Sequence, residues 1–143
     1  MPVKVFIVDD SAVIRRVVAR LLEEQHGIQV VGTAPDGEKA LAALPGAQPD
    51  VVILDVEMPV LDGLSTLREI MRRHPVPVVM LSAHTTAGSK ATIEALAMGA
   101  VDFVPKGVQG GLSAMVAEVA AKIKLAAGVP RQRLLKLPVK RPH

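Results

Sequence analysis

The sequence contains no cysteine, no tryptophan and no tyrosine, and only two phenylalanines among its 143 residues. Without cysteine there is no disulfide framework, no thiol nucleophile and no cysteine-ligated zinc. Unbroken apolar runs extend only a handful of residues, far below the roughly 18 to 20 that a bilayer span requires, so no membrane insertion is expected. The first residues, Met1-Pro2-Val3-Lys4, lead into a strand-like stretch and lack the basic, apolar and small-residue regions of a secretory signal. A cytoplasmic protein is the expectation. With aromatics so scarce, the apolar half of the composition rests on 22 Val and 19 Ala. Such a core is built from β-branched strands against alanine-faced helices. At this length about two thirds of the unfolded chain's surface is buried on folding, enough for a core without covalent staples.

A formal charge of +3 and a sequence pI near 9.5 invite comparison with nucleic-acid-binding proteins. The distribution argues otherwise. From Arg131 to His143 there are five basic residues and no acid, so residues 1–130 carry 12 basic and 14 acidic groups, a net of −2. No nucleic-acid partner is expected. Three prolines among the last fourteen residues favour a basic interdomain linker or tail over 128–143, with one folded domain over 1–127. Leu134, Leu135 and Leu137 leave an amphipathic contact of that tail as the competing reading.

Val3 to Val8 is a short Val/Ile-rich run that stops at Asp9-Asp10-Ser11. Ser11 can cap a helix, and Val13, Ile14, Val17, Val18, Leu21 and Leu22 then recur on one helical face. A second strand is predicted over Ile28 to Val31, closed by Gly32, and a second helix from Asp36 through Leu44, stopped by Pro45-Gly46. Val51 to Leu54 is the most hydrophobic strand, bounded by Asp50 and Asp55, and a helix follows from Gly63 with Leu64, Leu67, Ile70 and Met71. Val78 to Leu81 and Ala100 to Val104 complete the strands. A weaker helix over about Gly88 to Met98 separates them, and a final one runs from about Gly110 to Ala126. Uniformly apolar strands alternating with helices predict an α/β fold, a doubly wound, five-stranded parallel sheet with five covering helices.

In such sheets a site forms at the carboxyl ends of the strands. Four strands deliver polar residues there: Asp9 and Asp10 after the first, Asp55 after the third, Ser82 after the fourth and Lys106 just past the fifth. Two carboxylates about 4 Å apart repel by roughly 4 kcal/mol at an effective dielectric near 20. The cluster therefore needs a cation or raised pKa values. Mg2+ suits oxygen-only ligands and completes its shell with water and phosphate. Asp55 could then accept a phosphoryl group, with Lys106 and the Ser82 hydroxyl facing its oxygens.

Four segments carry a family resemblance: Val5-Phe6-Ile7-Val8-Asp9-Asp10-Ser11, Asp55-Val56-Glu57-Met58-Pro59-Val60-Leu61-Asp62-Gly63, Leu81-Ser82-Ala83 and Gly99-Ala100-Val101-Asp102-Phe103-Val104-Pro105-Lys106. Together, over about residues 3 to 127, they resemble the receiver domain of two-component response regulators. The resemblance implies that Asp55 is the phosphoacceptor, that Asp9, Asp10 and Asp55 hold Mg2+ with the Glu57 carbonyl, and that Ser82 and Lys106 contact the phosphoryl group. It further implies a switch in which Ser82 moves inward and Phe103 follows, and a tuning of dephosphorylation by Glu57 and His84. Since Phe103 has no hydroxyl, that switch must work through packing alone. The implied phosphodonor is a histidine kinase of the CheA type. Val79 to Gly88 and Ala95 to Lys106, with Glu57-Met58-Pro59, are similar to the regulatory domain of chemotaxis protein-glutamate methylesterases. There the receiver covers the esterase site until phosphorylation. No esterase domain or Gly-x-Ser-x-Gly elbow is present, so the expectation is either the front of a longer methylesterase/glutamine deamidase or a free-standing single-domain regulator. The chain by itself would only take up and release phosphate. One departure is Gly107, where many receivers have proline.

Two other readings fit less well. Gly32 to Lys39 approaches a phosphate-binding P-loop but places Glu38 where the motif needs lysine. A haloacid dehalogenase-type phosphohydrolase also uses a strand-end Asp with Mg2+, yet it carries a second Asp two residues on, where this chain has Glu57.

Overall fold

The structure, a computed structural model, describes residues 2–58, 60–82, 90–107 and 110–130. Strands and helices alternate as β1 (Val3–Val8), α1 (Ala12–Glu23), β2 (Ile28–Ala34), α2 (Gly37–Ala47), β3 (Val51–Asp55), α3 (Gly63–Arg73), β4 (Val78–Ser82), α4 (Lys90–Ala97), β5 (Asp102–Pro105) and α5 (Gly111–Ala127). The strands form one parallel sheet in the order β2-β1-β3-β4-β5. The order reverses between β1 and β3, so their carboxyl ends flank the crevice where ligands bind in sheets of this kind.

Because successive strand residues face opposite ways, each strand feeds two cores. Val5, Ile7, Val51, Ile53, Val79 and Leu81 pack against α1 and α5, where Val18, Leu22, Met115, Val119 and Ile123 are buried. Phe6, Val8, Val52, Leu54, Val78 and Met80 pack against α2, α3 and α4 through Ala40, Leu44, Leu67, Ile70 and Ala95. Side chains covered on both faces explain why the strands read as unbroken apolar runs rather than as alternating ones.

Several element ends differ from the sequence expectation; β3 and β4 each run one residue further, to Asp55 and Ser82. β2 passes through Gly32 to Ala34 because the ladder absorbs one extra residue: Val5 pairs with Val30, and Phe6 with Gly32. A Cβ on Gly32 would lie 2.6 Å from the Phe6 ring, so glycine is there to admit the aromatic, not to end the strand. α2 continues past Pro45 to Ala47, since proline removes only its own donor and Gln48 N–H still reaches Leu44 O at 3.0 Å. β5 starts at Asp102 because Ala100 N–H is bonded to Ala95 O beyond a left-handed Gly99, which ends α4. α5 is set one residue later, Gly111–Ala127. The opening of the fourth predicted helix, from 88, lies partly outside the described residues, as does 131–143 of the tail.

α3 starts against the end of β3. Gly63 N–H donates to Val56 O at 3.0 Å, and a Cβ at Gly63 would fall 2.3 Å from Asp55 O and 2.6 Å from Val56 Cα. Both obstacles are backbone, so neither can rotate away. Gly63→Ala is therefore expected to lower stability by about 1–3 kcal/mol, read from the urea midpoint. Gly107→Ala, whose Cβ meets nothing within 4 Å, is expected to leave the midpoint essentially unchanged.

Candidate active site

Asp9 follows β1, Asp55 ends β3, Ser82 ends β4 and Lys106 follows β5. All meet above the sheet. Asp9 and Asp55 are buried, at 0% and 1% exposure, while Asp10 is open to solvent. Each of the three offers a carboxylate oxygen within 4.8 Å of the others'. Lys106 Nζ spans the buried pair, 2.8 Å from Asp9 Oδ2 and 3.1 Å from Asp55 Oδ1. The lysine's place is fixed by its main chain, since Lys106 N–H donates to Ser82 O at 2.9 Å.

Local sequence orients the carboxylates. Asp9 Oδ1 accepts from Ser11 N–H at 2.9 Å, while Ser11 Oγ caps α1 by accepting from Ile14 N–H at 3.2 Å. The Asp9 carbonyl accepts from Arg15 Nη1 at 2.6 Å. The Asp55 carboxylate accepts from Glu57 N–H at 3.3 Å. Ser82 is buried and its hydroxyl donates to Glu57 Oε2 at 2.9 Å. Phe103 is half-buried three residues before Lys106 and packs on the α2–α4 side of the sheet. Asp9, Asp10, Asp55 and Lys106 thus form one cluster, with Ser82 and Glu57 joined at its side. His84 lies outside the described residues.

Two contacts were not legible beforehand. Arg15 reaches back from the second turn of α1 to the Asp9 carbonyl, and no sequence signal separates it from its neighbour Arg16. The Ser82–Glu57 bond joins residues 25 apart, which only the pairing of β3 with β4 brings together.

Burial pushes the Asp55 carboxyl up to about 7 from 3.8; the Asp9 charge adds to the rise, and Lys106 opposes it. Burial disfavours the Lys106 ammonium, but its hydrogen bond to Asp9 and the charges of Asp55 and Asp9 outweigh that and hold it above the ordinary lysine value. One ammonium against three carboxylates leaves the cluster net negative. Its oxygen-only donors suit a hard divalent cation.

A doubly wound domain with paired strand-end carboxylates and a bridging lysine at its switch point has the form of a phosphoacceptor module. Residues 5–118 match the response regulator receiver domain family, and the chain belongs to it. Within the family it is a receiver of the CheB type. It is 38% identical to the response regulator domain of Thermotoga maritima CheB, with a TM-score of 0.86 over 91% of this chain and 99% of that one. It is 54% identical to a protein-glutamate methylesterase/protein-glutamine glutaminase of Symbiobacterium thermophilum, over 92% of this chain and 38% of that protein. A similarly named protein of Carboxydothermus hydrogenoformans is 57% identical, over 86% and 36%. The chain spans little more than a third of the length of these curated relatives. A CheY of Borrelia burgdorferi, described in complex with CheX, BeF3 and Mg2+, has a TM-score of 0.74 at 28% identity, over 91% of this chain and 92% of that one.

The raised Asp55 pKa makes stability fall with pH. The folded protein keeps a proton that the unfolded chain releases, so the contribution is full below 3.8 and is lost as pH rises through about 7. In chelator-treated protein, Asp55→Asn should gain on wild type between these limits, by on the order of a few kcal/mol, and the gap should level off above them. Urea midpoints across that range give the difference; a gap independent of pH would show that Asp55 titrates normally.

Proposed function

We propose that this receiver takes a phosphoryl group on Asp55 from a histidine kinase of the CheA type and thereby regulates a methylesterase domain elsewhere in a longer protein. The observation that carries the reading is the Lys106 ammonium spanning Asp9 and Asp55, with Asp10 beside them. An Asp55 oxygen attacks phosphorus; the donor's bond to phosphorus breaks and its electron pair leaves with the donor. Lys106 faces the oxygens on which charge accumulates, and the Ser82 hydroxyl can donate to one of them once it leaves Glu57. Asp9, Asp10 and Asp55, with the Glu57 carbonyl, would hold Mg2+. The bound ion supplies positive charge both to the phosphoryl oxygens and to a carboxylate that must ionise before it can attack.

Support for the metal comes from the donor set and from the Borrelia neighbour, described with Mg2+ and BeF3. Support for the methylesterase output comes from the curated relatives, of which this chain matches about a third. Neither a dehalogenase-type phosphohydrolase nor a free-standing regulator is favoured. In the first reading Glu57 would be a general acid, whereas here its carboxylate accepts from Ser82. We further assign Glu57 and His84 to tuning of phosphate loss, Ser82 and Phe103 to the switch, 1–127 to the receiver and 128–143 to a linker. The end of α5 at Ala127 supports that boundary.

Intact-mass analysis with Mg2+ and a small acyl-phosphate donor tests the assignment. Wild type should gain one phosphoryl group and Asp55→Asn none, while Lys106→Met should slow uptake by about 10²- to 10³-fold. Equal uptake by Asp55→Asn would sink the reading. A chain ending at Pro130 should be phosphorylated at the full-length rate; a loss there would place the tail within the folded unit.

A further inference from the structure

Outside the acidic site, α5 holds the open edge of β5. Among the described residues this four-residue strand pairs only with β4, so backbone groups on its outer side turn to side chains or water. Phe103 N–H donates to Asp102 Oδ1 at 2.8 Å, and the Phe103 carbonyl accepts from Lys122 Nζ at 2.8 Å. The same ammonium lies 3.3 Å from Asp102 Oδ1, 3.1 Å from Glu118 Oε2 and 5.8 Å from the centroid of the Phe103 ring. Lys122 is half-buried, which makes these contacts stronger than those of a fully solvated pair.

Edge protection accounts for the carbonyl contact, and the Glu118 pair is an ordinary i,i+4 bridge on the helix. The ring contact differs from both. If the ring moves while the strand stays, the carbonyl and the carboxylates keep their ammonium and the ring alone loses it. Only contacts that differ between two forms bias their equilibrium. We propose that Lys122 is a positioning residue for Phe103: its ammonium holds the aromatic ring in its resting place and so sets how much modification of Asp55 must supply to move it. The inference rests on the reading of Ser82 and Phe103 as the moving pair. Losing one partly solvated cation–π contact should raise the moved form at rest about two- to fivefold.

The two phenylalanines make the test direct. In full-length protein labelled with para-fluorophenylalanine, fluorine NMR gives one resonance for Phe103 and one for Phe6, which is buried against Gly32 and reports on the fold. Mg2+ with beryllium fluoride should move the Phe103 resonance of wild type and leave that of Phe6 in place. Without ligand, Lys122→Met should shift the Phe103 resonance part of the way toward that bound position, and Lys122→Arg, which keeps a cation and a donor, should restore the wild-type position. If Lys122→Met disturbs Phe6, Asp102→Asn serves instead. It keeps an acceptor for Phe103 N–H but removes one of the two carboxylate charges that anchor Lys122, leaving Glu118 to draw the ammonium toward the helix, and a partial shift is again expected. A Phe103 resonance at the wild-type position in the usable variant overturns the proposal. No response of wild-type Phe103 to beryllium fluoride instead overturns the switch reading beneath it.

Discussion

The ammonium of Lys106 between the buried carboxylates of Asp9 and Asp55 is the contact around which the rest of the domain is arranged. Two buried carboxylates placed this close repel one another, and the ammonium between them offsets that repulsion. The lysine arrives from the fifth strand, Asp9 from the first and Asp55 from the third, so the ion bridge forms only when the sheet has closed in the order β2-β1-β3-β4-β5. It also underpays: one cation faces three carboxylates. The negative remainder, and the burial that pushes the Asp55 carboxyl up to about 7, are both conditions that a further cation would relieve. A site fully neutralised by its own side chains would have no such demand.

The scaffold that mounts this contact is built with little bulk. Most strand residues are aliphatic, and at two places a missing side chain is what lets parts approach: Gly32 admits the Phe6 ring and Gly63 lets α3 start against the Asp55 carbonyl. The second bears directly on chemistry, because the backbone of Asp55 is pressed between β4, through Val56 N–H to Leu81 O, and the first turn of α3. A close-packed mount of this kind transmits strain rather than absorbing it. That property is useful where a change at one carboxylate must be felt at a neighbouring strand end.

Much of this could be read from residue order alone, and for a physical reason. Strands covered on both faces leave apolar runs of distinctive length, and a parallel sheet puts every strand's carboxyl end on one side. The residues Asp9, Asp10, Asp55, Ser82 and Lys106 were therefore bound to share a surface once five such strands were recognised. Element ends were less legible because they hinge on single hydrogen bonds: Ala100 belongs to the close of α4 and not to β5, and Pro45 sits inside a helix that its neighbour Gln48 still closes. Long-range side-chain pairings were not legible at all. Nothing in the local sequence of Glu57 announces that its carboxylate takes the Ser82 hydroxyl, nor in that of Lys122 that it reaches Phe103.

Those two contacts share a logic. Ser82 is held by Glu57 and Phe103 by Lys122, so in the resting form both members of the proposed moving pair have partners outside the phosphoryl position. A phosphoryl group on Asp55 would add oxygens that compete with Glu57 for the same hydroxyl. Its negative charge would also press on the Glu57 carboxylate rather than invite it closer. The exchange is therefore one acceptor for another at Ser82, with little net gain in hydrogen bonds, and the bias must come from charge and from the space the hydroxyl vacates. With no phenolic oxygen at position 103 to form a new hydrogen bond, the aromatic can follow only by filling that space. In the proposed switch the two forms differ by few contacts, so one ammonium near the ring, or one carboxylate near the hydroxyl, would bias where it rests.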